Sequence, residues 1–204
     1  MTDSKSVLQA WRERGGEYSP RYYAHYGPND TSESILEFVD ALDGSDPSIL
    51  EIGCSSGRHL AHLHDNGYRN VTGVDVNEDA VAVMKETFPD LAADATIYVD
   101  AIENVITEFD DRQFDVVFSV ETLQHIHHEN EWVFEDVARI TDRLLLTAEL
   151  ETDDDSDGTS VTHLNDDVPL YYRNWRRVFT EFGFEETDSR SVGRDTLRAF
   201  RRAT

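Results

Sequence analysis

The chain has 204 residues and is 39% hydrophobic, which suffices for one core of ordinary size, and none of its apolar runs approaches the roughly 20 residues that span a bilayer. Its 42 acidic residues oppose 18 basic ones, a formal net charge of −24, which argues against nucleic acid as a partner because phosphate binding relies on Lys and Arg displacing counterions. Cys54 is the only cysteine, so an intrachain disulfide and a four-thiolate metal site are both excluded.

Taken in chain order, residues 4–13 have the pattern of a short helix, and the Tyr-rich stretch 17–27 reads as irregular chain ending before Pro28. Thr31 or Ser32 can then cap a helix whose apolar positions Ile35, Leu36, Val39 and Leu42 recur at helical spacing. From residue 48 the pattern alternates. Strands are expected at 48–52, 71–75, 96–99, 114–119 and 143–148, with helices at 57–65, 78–88 and 131–140. Each parallel crossover needs a long connection, so this order predicts an α/β fold, a doubly wound, mostly parallel sheet with helices on both faces. Residues 170–182 read as a helix with Tyr171, Trp175, Val178 and Phe179 on its apolar side, and 184–191 with 195–202, joined through Gly193, as an antiparallel hairpin at the sheet edge. A single domain is expected, with 1–44 as an amino-terminal helical and aromatic segment and 45–204 as the core.

The most informative stretch is Ile49 to Leu60, a strand that runs through a small-residue loop into a helix. Gly53 removes a side chain where a ligand must approach backbone, and Gly57 lets the helix pack closely or start in an unusual conformation. Asp75 ends the next strand, 22 positions beyond Gly53. A carboxylate there can accept both hydroxyls of a ribose.

With these elements the sequence resembles the small-molecule branch of the class I S-adenosylmethionine-dependent methyltransferases, whose first motif stands here as Glu51, Gly53, Ser55 and Gly57. The resemblance extends over residues 45–200 and includes Asp100 and Ala101 after the third strand and Phe114 to Ser119 as the fourth. It implies a Rossmann-like seven-stranded sheet, S-adenosylmethionine as cofactor and a small-molecule acceptor. It further implies that Glu51 organises the loop or the amino-acid end of the cofactor, while Gly53, Cys54, Ser55 and Gly57 line the methionine portion. Asp75 would hold the ribose, Val76 would touch adenine, Asp100 and Ala101 would receive its amino edge, and Ser119 would approach methionine from the fourth strand. Ser55 departs from the family's glycine, which bears on cofactor affinity. The amino-terminal segment, with Tyr18, Tyr22, Tyr23 and Tyr26, is expected to act as a lid. Candidate bases are Glu121, His125 and Glu149, joined from the lid by Tyr23 and His25.

A nicotinamide-dependent oxidoreductase is the alternative, but its glycine spacing requires Gly where Arg58 stands. A binding module without catalysis is the other, since methyl transfer has no obligatory catalytic residue. His125, His127, His128 and Glu129 are expected to take non-metal roles, because adjacent histidines diverge on regular backbone. Asp153, Asp155, Asp157 and Gly158 resemble the start of a calcium loop, yet Leu164 stands where the bidentate Glu belongs. The acids are spread along the chain and lysine occurs only at Lys5 and Lys85. Molar salt shortens the screening length to about 3 Å, so the composition fits a protein of a salt-rich cytoplasm.

Overall fold

The computed structural model describes residues 3–44, 46–152, 160–164 and 168–203. The calcium-like run at Asp153–Gly158 lies outside these. Two short helices come first, α1 (Ser4–Arg12), capped by Asp3, and α2 (Pro20–Tyr26), capped by Ser19 with Pro20 opening its first turn. Part of the Tyr-rich stretch is therefore helical. Helix α3 (Asp30–Asp40) starts one turn earlier than the pattern suggests: Asn29 caps it, and Ser32 returns the bond in a capping box.

The core alternates as expected: β1 (Ile49–Ile52), α4 (Arg58–Asp65), β2 (Val71–Asp75), α5 (Asp79–Thr87), α6 (Pro89–Asp94), β3 (Thr96–Val99), α7 (Ile102–Val105), β4 (Phe114–Val120), α8 (Trp132–Ile140) and β5 (Thr141–Glu149). The next segment departs from expectation. Leu170 to Tyr172 belong to strand β7 (Val168–Tyr172), which pairs with β6 (Ser160–Leu164), and helix α9 (Trp175–Glu181) begins only after Asn174, whose side chain accepts the Arg177 N–H at 2.9 Å. Strands β8 (Phe184–Val192) and β9 (Asp195–Arg202) complete the chain as the expected hairpin, with Gly193 at φ +65° in its two-residue turn.

The large sheet runs β3-β2-β1-β4-β5-β9-β8, with β9 antiparallel to both of its neighbours. Alternate residues of the central strands face opposite cores. Leu50, Val117 and Leu145 pack with α8 and α9 through Phe134, Trp175 and Phe179. Ile49, Val116, Leu144 and Leu146 face α3 and α4 through Ile35, Val39, Leu60 and Leu63. Burial on both faces is why these strands read as continuous apolar runs. The chain leaves β1 for β2 on one side and reaches β4 on the other, so the crevice at the carboxyl ends of β1 and β4 is the topological switch point, where open α/β sheets bind ligands.

Candidate functional site

A cleft lies at that switch point, floored by the exits of β1, β2, β3 and β4 and covered by α1, α2 and the chain between them. Gly53, Ser55 and Gly57 all take the left-handed conformation, at φ +75°, +50° and +81°. Alternate left-handed residues fold the loop back over the end of β1 and turn backbone toward the cleft. A Cβ on Gly53 would stand 2.0 Å from Thr122 Oγ1, in the loop after β4, so glycine alone fits there. At Gly57 a Cβ would meet Met84 and Leu91 at 2.7 and 2.9 Å. Gly57 therefore serves the packing of α4 against α5 and α6, and it is not on the cleft wall.

Asp75 lines the cleft and ties the loop to β2. Its Oδ2 accepts the Ser55 N–H at 2.8 Å and its Oδ1 the Asn77 N–H at 2.8 Å. Burial raises its pKa, and the two backbone donors oppose that shift. Each oxygen keeps a lone pair for a ligand. Glu51 also lines the cleft and is 1% exposed, with Oε2 buried and lacking a partner among the described residues. Burial pushes its carboxyl well above the usual range, and the nearby Arg58 works against that. Val76, Asp100 and Ala101 occupy the far end of the cleft. Asp100 Oδ1 accepts from the Ala101 N–H at 2.7 Å and from Asn104 Nδ2 at 2.8 Å. Cys54 is buried against Gly73, and desolvation holds its thiol well above the ordinary range, as suits a packing residue.

The candidate bases separate. Ser119 and Glu149 sit behind the cleft, 1% and 0% exposed, with Ser119 Oγ donating to Glu149 Oε1 at 2.7 Å. Glu149 also accepts the N–H groups of Thr122, Leu123 and Gln124, so it anchors the loop after β4 and is screened from any acceptor. Arg173 grips the same loop from below, donating to the Ile126 carbonyl at 2.7 Å and to Glu131 at 3.0 Å. His25 is exposed and off the cleft wall. Glu121 lines the cleft at φ +49° but is paired with Arg194 Nη2 at 2.6 Å. Tyr23 lines it beneath the guanidinium of Arg58, 4.8 Å from its ring centre, and burial raises its pKa.

His125 is the base that faces the cleft. Its Nδ1 lies 3.2 Å from the Pro169 carbonyl, which can only accept, so Nδ1 carries the proton and Nε2 keeps its lone pair. Burial pushes its pKa down to about 4. The ring is therefore neutral near pH 7.

Several cleft residues gave no signal in the sequence. Trp11 packs tilted against His125 with ring centres 4.5 Å apart, Arg14 lies over Trp11 and Tyr18 at 5.6 and 5.5 Å, and Asn77 Nδ2 holds α1 in place through the carbonyls of Trp11 and Arg14. A helical spacing of Val7 and Trp11 announces an apolar face, but not the surface it covers. His127 and His128 do not diverge as adjacent histidines on regular backbone would. On their short 3-10 turn the rings lie 4.0 Å apart and, with Glu129, bring ligand-type atoms within 4.8 Å of one another. His127 Nδ1 there accepts the Glu129 N–H at 3.3 Å.

Residues 49–143 match the family described as a methyltransferase domain. A ubiquinone biosynthesis O-methyltransferase of Rickettsia bellii is 31% identical over 138 residues, which cover 67% of this chain; the chain spans 55% of that protein's length. Two solved structures share the fold. A 1,6-didemethyltoxoflavin-N1-methyltransferase of Burkholderia thailandensis, with its acceptor and S-adenosylhomocysteine bound, has TM-score 0.71 at 14% identity, covering 98% of this chain and 87% of that one. A magnesium protoporphyrin IX methyltransferase of Synechocystis PCC 6803, with S-adenosylmethionine bound, has TM-score 0.70 at 18% identity, covering 100% and 98%. The chain thus carries a match to a methyltransferase domain over residues 49–143 and shares its fold with solved methyltransferases.

Proposed function

We propose that the chain is an S-adenosylmethionine-dependent methyltransferase acting on a small-molecule acceptor. The observation that carries this reading is the convergence, in one cleft at the switch point, of the left-handed Gly53–Gly57 loop, Asp75 at the end of β2 and Asp100 after β3. The residues fit the cofactor: the unpartnered Glu51 Oε2 suits an ammonium, and Gly53 and Ser55 bring loop backbone to the cleft wall. Bound there, S-adenosylmethionine supplies a methyl group on a sulfonium that leaves as a neutral thioether. Arg58, first residue of α4, is positioned to pair with its carboxylate. The free lone pairs of Asp75 accept the ribose hydroxyls, Asp100 takes the adenine amino group, and Val76 and Ala101 form the apolar slot. In this reading Gly57 serves helix packing and Ser119 the Glu149 clamp, both off the cleft wall.

His125 takes the acceptor's proton where the acceptor arrives protonated. Its Nδ1–H is held by Pro169, so Nε2 is the basic atom, and burial that lowers its pKa to about 4 makes it a weak base suited to an acceptor whose own proton is acidic. This position favours an enzyme over a binding module. The oxidoreductase alternative has no support from the relatives named above, which are methyltransferases.

Titration calorimetry with S-adenosylhomocysteine tests the reading. Binding is expected, with nicotinamide dinucleotides inert. Asp75→Ala should weaken it by about 2 kcal/mol or more, since two charge-assisted bonds and the anchor of the Ser55 loop are lost together. Asp75→Asn should weaken it less. Glu185→Ala, on the exposed face of edge strand β8, removes the same charge and should leave affinity unchanged. Dinucleotide binding without response to the sulfur nucleoside would overturn the proposal.

A further inference from the structure

The acceptor side of the cleft has a charge pattern that this chain makes improbable by accident. Against 42 acidic residues, Arg14 and Arg58 are the two arginines on the cleft wall, and among the described residues neither forms an ion pair. Arg58 belongs to the cofactor end, beside Glu51 at the start of α4. Arg14 sits on the chain that leaves α1, its guanidinium over the Trp11 and Tyr18 rings, and Trp11 in turn packs on His125. Its Nε donates to the Glu17 carbonyl at 3.1 Å, which fixes the plane of the guanidinium and leaves the Nη1/Nη2 fork without an acceptor among the described residues. Next to it, the Trp11 Nε1–H is buried and has no acceptor either.

The acids nearby are already engaged, Glu121 by Arg194, Asp75 by two backbone donors and Asp100 by Ala101 and Asn104. Beside His125 the Arg14 fork and the Trp11 N–H are donors without acceptors among the described residues, while the unpartnered acceptors on the cleft wall are Glu51 Oε2 at the cofactor end and Glu103 Oε2. A buried donor left unpaired is costly, and a guanidinium fork matches a carboxylate bidentately. We infer that the methyl acceptor is a planar aromatic carboxylate, held by the Arg14 fork and the Trp11 indole N–H in the aromatic wall that Trp11, Tyr18 and Tyr23 form, with its nucleophile toward His125. The inference rests on the methyltransferase reading and names its acceptor class. The charge of −24 makes a direct ion pair the more necessary, because the field of the whole molecule repels an anion.

The test uses the full chain saturated with S-adenosylhomocysteine in molar potassium chloride and a series of matched probes, each a hydroxylated benzoate, indole or quinoline carboxylate beside its neutral carboxamide. Calorimetry should show at least one carboxylate binding about tenfold or more tighter than its amide. Arg14→Met should erase that difference and Arg14→Lys should keep part of it, while both variants bind S-adenosylhomocysteine as the parent does. No discrimination in any pair would overturn the inference. So would an Arg14→Met variant that loses S-adenosylhomocysteine itself, since Arg14 would then serve the cofactor. If the unaltered chain fails to bind S-adenosylhomocysteine, the methyltransferase reading falls first, and that failure is separate from either result with Arg14.

Discussion

Ser55 carries the left-handed turn that glycine gives freely, at φ +50°, and does so between two glycines that are also left-handed. An L-residue pays about 1–2 kcal/mol for that conformation, and replacement by glycine returns part of it to the entropy of the unfolded chain, about 0.4–1 kcal/mol. Ser55→Gly is therefore expected to leave stability unchanged or raise it by up to about 1 kcal/mol, and the Ser55 N–H bond to Asp75 at 2.8 Å survives because it is backbone. Gly53→Ala is the opposite case, since its Cβ would collide with Thr122 as well as sit at φ +75°. It should cost about 2–3 kcal/mol. Urea unfolding of the two variants beside the parent checks both signs.

At the scale of elements, the end of β5 holds the loop after β4. Glu149 gathers four donors, from Ser119, Thr122, Leu123 and Gln124, and Gln124 Oε1 returns a bond by accepting the Leu150 N–H at 2.8 Å. Because this loop carries Thr122 against Gly53 and His125 into the cleft, the clamp couples two walls of the site. Burial lifts Glu149 to about 7 while its four donors pull the other way. A carboxyl raised from 4.5 in the unfolded chain favours the protonated folded form. Its contribution to stability is thus complete below about pH 4.5 and is lost as pH rises through 7, amounting to about 3 kcal/mol across that window. Glu149→Gln cannot titrate. The difference in unfolding free energy between parent and Glu149→Gln should accordingly shift against the parent between pH 4.5 and 7 and flatten above it; a pH-independent difference would refute the assignment.

For the whole molecule, the charge of −24 on 204 residues is the dominant fact. Several of its ion pairs are largely exposed, as Arg21 with Glu86 and Arg177 with Glu181 are, and pairs of that kind contribute little each. The unpaired acids repel one another over about 10 Å at 0.1 M salt and over about 3 Å at 1 M. Thermal unfolding is therefore expected to move upward as potassium chloride rises from about 0.1 M toward molar levels. A midpoint that stays put or falls would show that burial, not relief of repulsion, sets stability under salt. Among the described residues no helix is long and apolar enough to cross a membrane.

Periodicity and glycine spacing by themselves determined the alternation from β1 to β5, the β8–β9 hairpin, and the loop with Asp75 beyond it, because each depends on local backbone preference and on residues close in sequence. The stretch around Leu170 misled for the same reason: apolar residues at 171, 175, 178 and 179 keep a helical beat even though Pro169 and Tyr172 bracket strand residues paired with β6. Only the tertiary structure decided which chemistry-bearing side chains share the cleft. Ser119 and Glu149 were drawn behind it by alternation along buried strands, since a strand turns every second residue away from any one face. Arg14 and Trp11 were brought to His125, more than 110 positions away in sequence, by Asn77 holding the end of α1 over the sheet. No pattern within a segment encodes such a meeting, because it depends on where two surfaces pack and not on what either one prefers alone.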